Sequence, residues 1–135
     1  MKALSRLALV VMLGLPRAGE ACSCPTIPTP RQALTQASAV FAGKVLEVYR
    51  QDRRNFRVTF EVSRYWKGKI GAQTIALTMI ESSLCGYGFE TGKEYIVYTY
   101  SDLAGRLRVS LCSRTRPLAG ASEDLEALGP GEKPE

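Results

Sequence analysis

The apolar residues of this chain fall into three regimes. From Leu7 to Leu15 they form an almost unbroken run behind Lys2 and Arg6. Between Arg31 and Ser38 they recur at helical spacing, with Ala33, Leu34 and Ala37 on one side just after Pro30, which predicts a short helix. From Ala39 the period shortens to two. Val40, Ala42, Val45, Leu46 and Val48 predict a long strand with a bulge at Gly43, and Gln51 to Asn55 is a polar turn. Phe56, Val58, Phe60 and Val62 then alternate with Arg57, Thr59 and Glu61 as a second strand. Trp66 to Lys69 reads as a turn, Thr74 to Ile80 as a third strand, and Lys93 to Tyr100 and Arg106 to Leu111 as a hairpin through Ser101 to Gly105. Ser122 is placed to cap a last helix with Glu123 and Asp124 in its first turn, Leu125 and Leu128 as its apolar face, and Gly129-Pro130 at its end. Five strands and two short helices without βαβ alternation predict an all-β fold, an antiparallel five-stranded OB-type barrel.

The first 21 residues stand apart from that fold. A basic start, the run Leu7 to Leu15 and the small residues Ala18, Gly19 and Ala21 form a secretory signal peptide, with the cut before Cys22. The run falls short of the roughly 20 apolar residues that cross a bilayer, so no transmembrane segment is expected. A lipid on Cys22 is the less favoured alternative, because Gly19 stands where a lipoprotein signal wants Leu and Glu20 intervenes. The expected organisation is therefore a leader at 1–21, one domain at 22–129 and a flexible tail at 130–135, in a secreted or periplasmic protein.

Composition narrows the chemistry. The 135 residues include four Cys and no His, which removes Ser-His-Asp and Cys-His nucleophiles and His-based zinc sites. No catalytic residue and no cofactor are expected, and the chain reads as a non-enzyme. Loss of the leader takes three basic residues and one acidic one, lowering the net charge from +5 to about +3, and an exported address with so small a charge argues against nucleic acid as a partner. The Arg50, Arg53, Arg54 and Arg57 cluster reads as a solvated turn, Trp66 as a core or barrel-end residue, and Tyr87, Tyr95, Tyr98 and Tyr100 as core and rim.

Four Cys in an oxidising compartment imply two disulfides. A Cys22–Cys24 ring would brace nothing, which leaves two long-range pairings open: Cys22 with Cys85 and Cys24 with Cys112, or the reverse. Either closes loops worth about 4 to 5 kcal/mol each as an upper estimate, not additively. Cys22 to Pro30 carries three prolines and reads as a stiff extended arm.

The residues also carry a resemblance. The Cys22-Ser23-Cys24 start with its proline-rich arm, the segment Ala39-Val40-Phe41-Ala42-Gly43-Lys44-Val45, Tyr65-Trp66-Lys67-Gly68, Glu81 to Tyr87, Gly92 to Tyr98 and Leu111-Cys112-Ser113 together resemble the N-terminal, netrin-like domain of the tissue inhibitors of metalloproteinases. The resemblance implies an OB barrel with a disulfide-tethered arm and the pairing Cys22 with Cys85 and Cys24 with Cys112. It further implies that the free amine and carbonyl of Cys22 chelate the zinc of a target metalloprotease. Ser23 would then enter the pocket beside the metal, and Cys24, Pro25, Ser82, Ser83 and Leu84 would line the contact ridge. Thr35 stands near where a further half-cystine would fall in animal members, Pro30 implies about one inserted residue in the arm, and the turn at Gln51 to Asn55 is short.

Three functions follow as expectations: a monomeric inhibitor docking its arm on a metalloprotease, an extracellular or envelope binding module that uses the barrel surface with the arm only structural, and a soft-metal or redox site at the thiols of Cys22 and Cys24.

Overall fold

The computed structural model describes Gly14 and residues 22–135; the leader predicted at 1–21 otherwise lies outside the described residues. The elements are α1 (Pro30–Gln36), β1 (Ala39–Arg50), β2 (Asn55–Lys67), β3 (Gln73–Met79), β4 (Glu94–Ser101), β5 (Leu107–Val109), β6 (Arg116–Pro117) and α2 (Ser122–Leu128). Among the described residues no helix is long and apolar enough to cross a membrane.

Antiparallel pairs β1–β2, β2–β3, β5–β4 and β4–β1, with a parallel β3–β5 pair, return the sheet to its starting strand. The result is the expected closed five-stranded barrel, and the two residues of β6 add to the free side of β4. Closure needs strand bending, which β1 supplies at three register shifts, one of them between Ala42 and Gly43. A Cβ on Gly43 would sit 2.9 Å from the Glu61 carbonyl oxygen, so close approach of β2 explains glycine there.

The alternation that marks β2 in the sequence separates inside from outside. Phe41, Val45, Val58, Phe60, Val62, Ala76, Tyr95, Val97 and Val109 fill the barrel. The segment between Cys85 and Gly92, which has no regular structure, folds inward so that Tyr87 and Phe89 plug one end. Edge-to-face contacts run Phe41–Phe60–Phe89–Tyr95 at ring separations of 4.9 to 5.2 Å. Burial pushes the Tyr87 hydroxyl pKa up to about 12.

β1 and β4 are buried on both faces. Their outward residues Val40, Ile96 and Tyr98 pack against Ala33, Ala37, Leu34, Ala121, Leu125 and Leu128 of the two helical segments, so both helices cover one wall of the barrel.

Some boundaries differ from the sequence reading. β2 continues through Trp66 and Lys67, and the chain turns at Gly68 with φ of 93°. Lys67 stays in line because its Nζ donates to the carbonyls of Leu34 and Thr35 at the end of α1. Trp66 packs beside the helices, and its Nε1 donates to Gly129. Ser122 does not cap α2; the cap position is Ala121, which makes no side-chain bond. The capping box lies at α1 instead, where Thr29 and Gln32 exchange side-chain and backbone bonds. Within the tail expected at 130–135, Glu132 pairs with the Tyr65 backbone in both directions and accepts from the Tyr65 hydroxyl.

Candidate functional site

Two surface segments meet where the arm begins at Cys22. The first is Cys22 to Thr29, irregular in backbone, with Ser23, Cys24, Pro25, Thr26 and Ile27 exposed and Cys22 half-buried. Its shape comes from proline, because Pro25, Pro28 and Pro30 fix three φ angles and the buried Pro30 starts α1. The second is the 3-10 turn Ser82–Leu84, all three residues exposed, between β3 and the inward-folding segment.

Disulfides hold these segments together. Cys22 is bonded to Cys85 and Cys24 to Cys112, with Cα–Cα distances of 5.0 and 5.2 Å. All four cysteines are thus engaged. The two bridges lie side by side: Cys112 Sγ is 3.5 Å from Cys22 Sγ and 3.8 Å from Cys85 Sγ. Cys22, Cys24 and Cys112 sulfurs fall within 4.8 Å of one another, a grouping that would suit a soft metal were the sulfurs thiolates. Bonded in disulfides, they offer none, and the metal or redox expectation for these residues is set aside.

The turn is held as firmly as the arm. Leu84 and Gly86 amides donate to the Glu81 carbonyl, the Cys85 amide donates to Ser82, and the Cys85 carbonyl accepts from Leu111. Cys85 adopts φ of 63°, the left-handed conformation that closes the turn. Gly86 then passes so close to β3 that a Cβ would lie 2.0 Å from the Met79 carbonyl oxygen. The Cys22–Cys85 bond ties the arm residues Cys22, Ser23, Cys24 and Pro25 to the turn residues Ser82, Ser83 and Leu84, a disulfide-joined ridge in which Leu84 is 52% exposed. Behind the arm lies a cleft of about 380 Å³ against α1 and β4, walled by Pro25, Pro28, Ala33 and Tyr98.

One anchor of the ridge is absent from the sequence reading. Arg114, 6% exposed, donates from Nη1 to the Pro28 carbonyl of the arm at 3.0 Å. Its Nε and Nη2 meet the two oxygens of Asp124 at 2.7 and 2.9 Å, and Asp124 also accepts the Tyr98 hydroxyl at 2.7 Å. Burial alone would raise the Asp124 pKa, yet the bonds from Arg114 and Tyr98 hold it below the usual carboxylate range. Burial, then the bond to Asp124, raises the Tyr98 pKa; the bond to Asp124 raises that of Arg114 despite burial. This paired, hydrogen-bonded network fixes α2 and the arm to the same wall.

Residues 20–123 match the family model described as Tissue inhibitor of metalloproteinase. The chain is 36% identical over 105 residues to an NTR domain-containing protein of Margaritifera margaritifera, covering 73% of this chain and 71% of that one. It is 28% identical over 117 residues to metalloproteinase inhibitor 2 of Canis lupus familiaris (78% and 53% of the two chains) and 30% over 120 residues to that of Cavia porcellus (79% and 54%). The chain thus spans about half the length of these inhibitor relatives.

Proposed function

Because the chain belongs to the tissue inhibitor of metalloproteinase family, we propose that it inhibits a zinc metalloendopeptidase through the ridge that begins at Cys22. The observation that carries this reading is the joining of the exposed arm to the exposed turn Ser82–Leu84 through the Cys22–Cys85 bond.

Catalytic zinc in such proteases keeps one coordination position open for water. A neutral α-amine and its adjacent carbonyl can fill that position, and Cys22 offers both once the leader is cut before it. A free α-amine has a pKa of about 7.7 to 8, so a neutral fraction exists near pH 7 and zinc enlarges it. The side chain of Cys22 takes no part because its sulfur is bonded to Cys85. Ser23, exposed and next in line, enters the pocket beside the metal, and Cys24, Pro25, Ser82, Ser83 and Leu84 widen the contact. Two disulfides, the prolines and the Arg114–Pro28 bond hold the ridge in shape before contact, which lowers the ordering cost of association.

The test is inhibition of a panel of zinc metalloproteases by protein whose N-terminus is Cys22, beside protein carrying one extra Ala before it. The extra residue turns the amine into an amide that cannot chelate, so inhibition by the first and not the second is expected. Equal inhibition by both would remove zinc chelation from the mechanism. Failure of both, with the disulfides intact, would leave a binding module that uses the barrel surface, the arm being structural.

A further inference from the structure

The core does not fill the barrel to its rim. Between the plug and the adjoining parts of β1, β2 and β3 lies a cavity of about 240 Å³, walled by Val48, Phe56, Val58, Met79, Tyr87 and Phe89. Phe56, Met79 and Ile80 border it half-buried, yet they belong to neither apolar cluster. Apolar side chains that face such a space lack the contacts a close-packed neighbour would give them. The cavity is reachable from solvent, because Ser82 and Gly88 on its border are exposed. A Cβ on Gly88 would meet nothing within 4 Å, so the plug leaves that side clear.

The chemistry of the walls narrows the occupant. Among the described residues that line the cavity none is charged. The buried Thr78 hydroxyl is already engaged, donating to the Val109 carbonyl at 3.0 Å and accepting from the Tyr87 amide at 2.8 Å. Ser82 stands at the exposed border. An ordered water needs two to four polar partners, and these walls are mostly hydrocarbon. A carboxylate or ammonium would give up its hydration here without a partner. The Tyr87 and Phe89 rings, 4.6 Å apart, make one wall aromatic. An apolar cavity of about 150 Å³ takes up benzene, so this one has room for a substituted ring and none for a folded peptide segment. Barrel mouths are also where small-molecule pockets form.

We infer that this cavity binds a small, uncharged aromatic molecule, and that the occupied cavity stiffens the turn Ser82–Leu84. The second half follows from who lines the space. Ser82 opens the turn and Gly86 follows it, and both border the cavity. The turn is closed by the amides of Leu84, Cys85 and Gly86, which donate to the Glu81 and Ser82 carbonyls at 3.0 to 3.2 Å. An occupant packed under both ends is lost when the turn opens, so binding favours the closed form. Neither half depends on the inhibition reading.

The experiment uses protein recovered after expression of the full chain and titrates it with para-fluorotoluene, followed by fluorine NMR and by a map of the backbone amides. Saturable binding is expected, with amide shifts centred on Val48, Phe56, Thr78 and the segment from Ser82 to Phe89. The charged analogue para-fluorobenzoate is expected to bind at least about tenfold more weakly. Val48→Phe and Ile80→Phe each fill part of the cavity and are expected to weaken binding by about tenfold or more, whereas Leu103→Ser on the exposed β4–β5 hairpin stays within about twofold of the parent. Melting temperature checks that each variant is folded, and the amide map locates the site where one is not. Amide hydrogen exchange at Leu84, Cys85 and Gly86 is expected to slow severalfold at saturation. Absence of saturable binding, equal affinity for the benzoate, parental affinity in the folded filled variants, or shifts centred on Gln36 and Tyr100 in the cleft behind the arm would each overturn the site; unchanged exchange in the turn would overturn the stiffening.

Discussion

Asp124→Asn tests the anchor behind the arm. The carboxylate has no exposure and accepts three short bonds, two from Arg114 and one from the Tyr98 hydroxyl. Asparagine keeps the shape but removes the charge and presents an NH2 to donors, leaving the Arg114 guanidinium buried without its counter-ion. Removing one partner of a buried pair costs about 3 to 5 kcal/mol. Glu123 lies 3.4 Å from Arg114 Nη2 and can take over part of the role, although its side chain is 71% exposed, so the lower figure of about 3 kcal/mol is expected. With an unfolding entropy of about 2.1 cal/mol/K per residue, that lowers Tm by about 12 °C at pH 7. Glu123→Gln, the exposed comparison, is expected to cost less than about 1 kcal/mol.

The same variant carries a pH signature. The folded pKa of Asp124 is depressed, so the stability that its charge contributes is present above the unfolded value of about 3.9 and is lost as pH falls through the lower folded value. Thermal or urea unfolding followed by circular dichroism from pH 7 down to about 2 is therefore expected to show the two proteins converging in acid. A gap that stayed constant to the acid end, or a loss below about 1 kcal/mol at neutral pH, would refute the assignment of Asp124 as a charged structural anchor.

Four further outcomes follow. Gly86→Ala forces a Cβ against the Met79 carbonyl; it is expected to cost about 2 to 3 kcal/mol by denaturant titration and to weaken any inhibition by displacing the turn Ser82–Leu84. Joint replacement of Cys24 and Cys112 by Ser opens a loop with a separation of 88 residues; a stability loss of up to about 4 kcal/mol is expected, with faster proteolysis within the arm. Thr29→Ala removes the capping box of α1 and is expected to lower stability by about 1 kcal/mol in the same melts. In an ultraviolet titration the folded protein ionises Tyr87 and Tyr98, raised by burial, and Tyr65, raised by its bond to Glu132, only above the ordinary tyrosine value of about 10. Since unfolding releases them to ionise, stability falls as pH rises above about 10; titration of Tyr87 and Tyr98 at an ordinary value in the folded protein would contradict their burial.

The barrel was readable because its signal is local. Phe56 to Val62 alternates strictly, and its members Val58, Phe60 and Val62 line the interior. Trp66 and Lys67 read as a turn because Gly68 and Lys69 follow, whereas tertiary bonds to α1 and to Gly129 keep them in the strand. Spacing left two disulfide pairings open, and only the resemblance chose between them. The plug was hidden because Gly86-Tyr87-Gly88-Phe89 has loop composition; aromatics between glycines were its one available signal. Arg114 and Asp124 were harder still. An Asp in the first turn of a helix is explained well enough by the helix dipole, and nothing in its neighbours announces a buried arginine ten positions earlier.

The interleaving of the two bridges, Cys22 to Cys85 and Cys24 to Cys112, sets a problem of timing. A chain that emerges from its N-terminus presents Cys22 and Cys24 to the oxidant while both of their final partners are still to come. Oxidation in order of arrival joins neighbours, Cys22 with Cys24 and then Cys85 with Cys112, and neither bond belongs to the finished molecule. Maturation thus requires either that oxidation wait for the barrel to close or that the first bonds be exchanged, and exchange proceeds through mixed disulfides at rates of seconds to hours. Where the first bonds form early, the yield of correctly bridged protein is set by how fast they are exchanged.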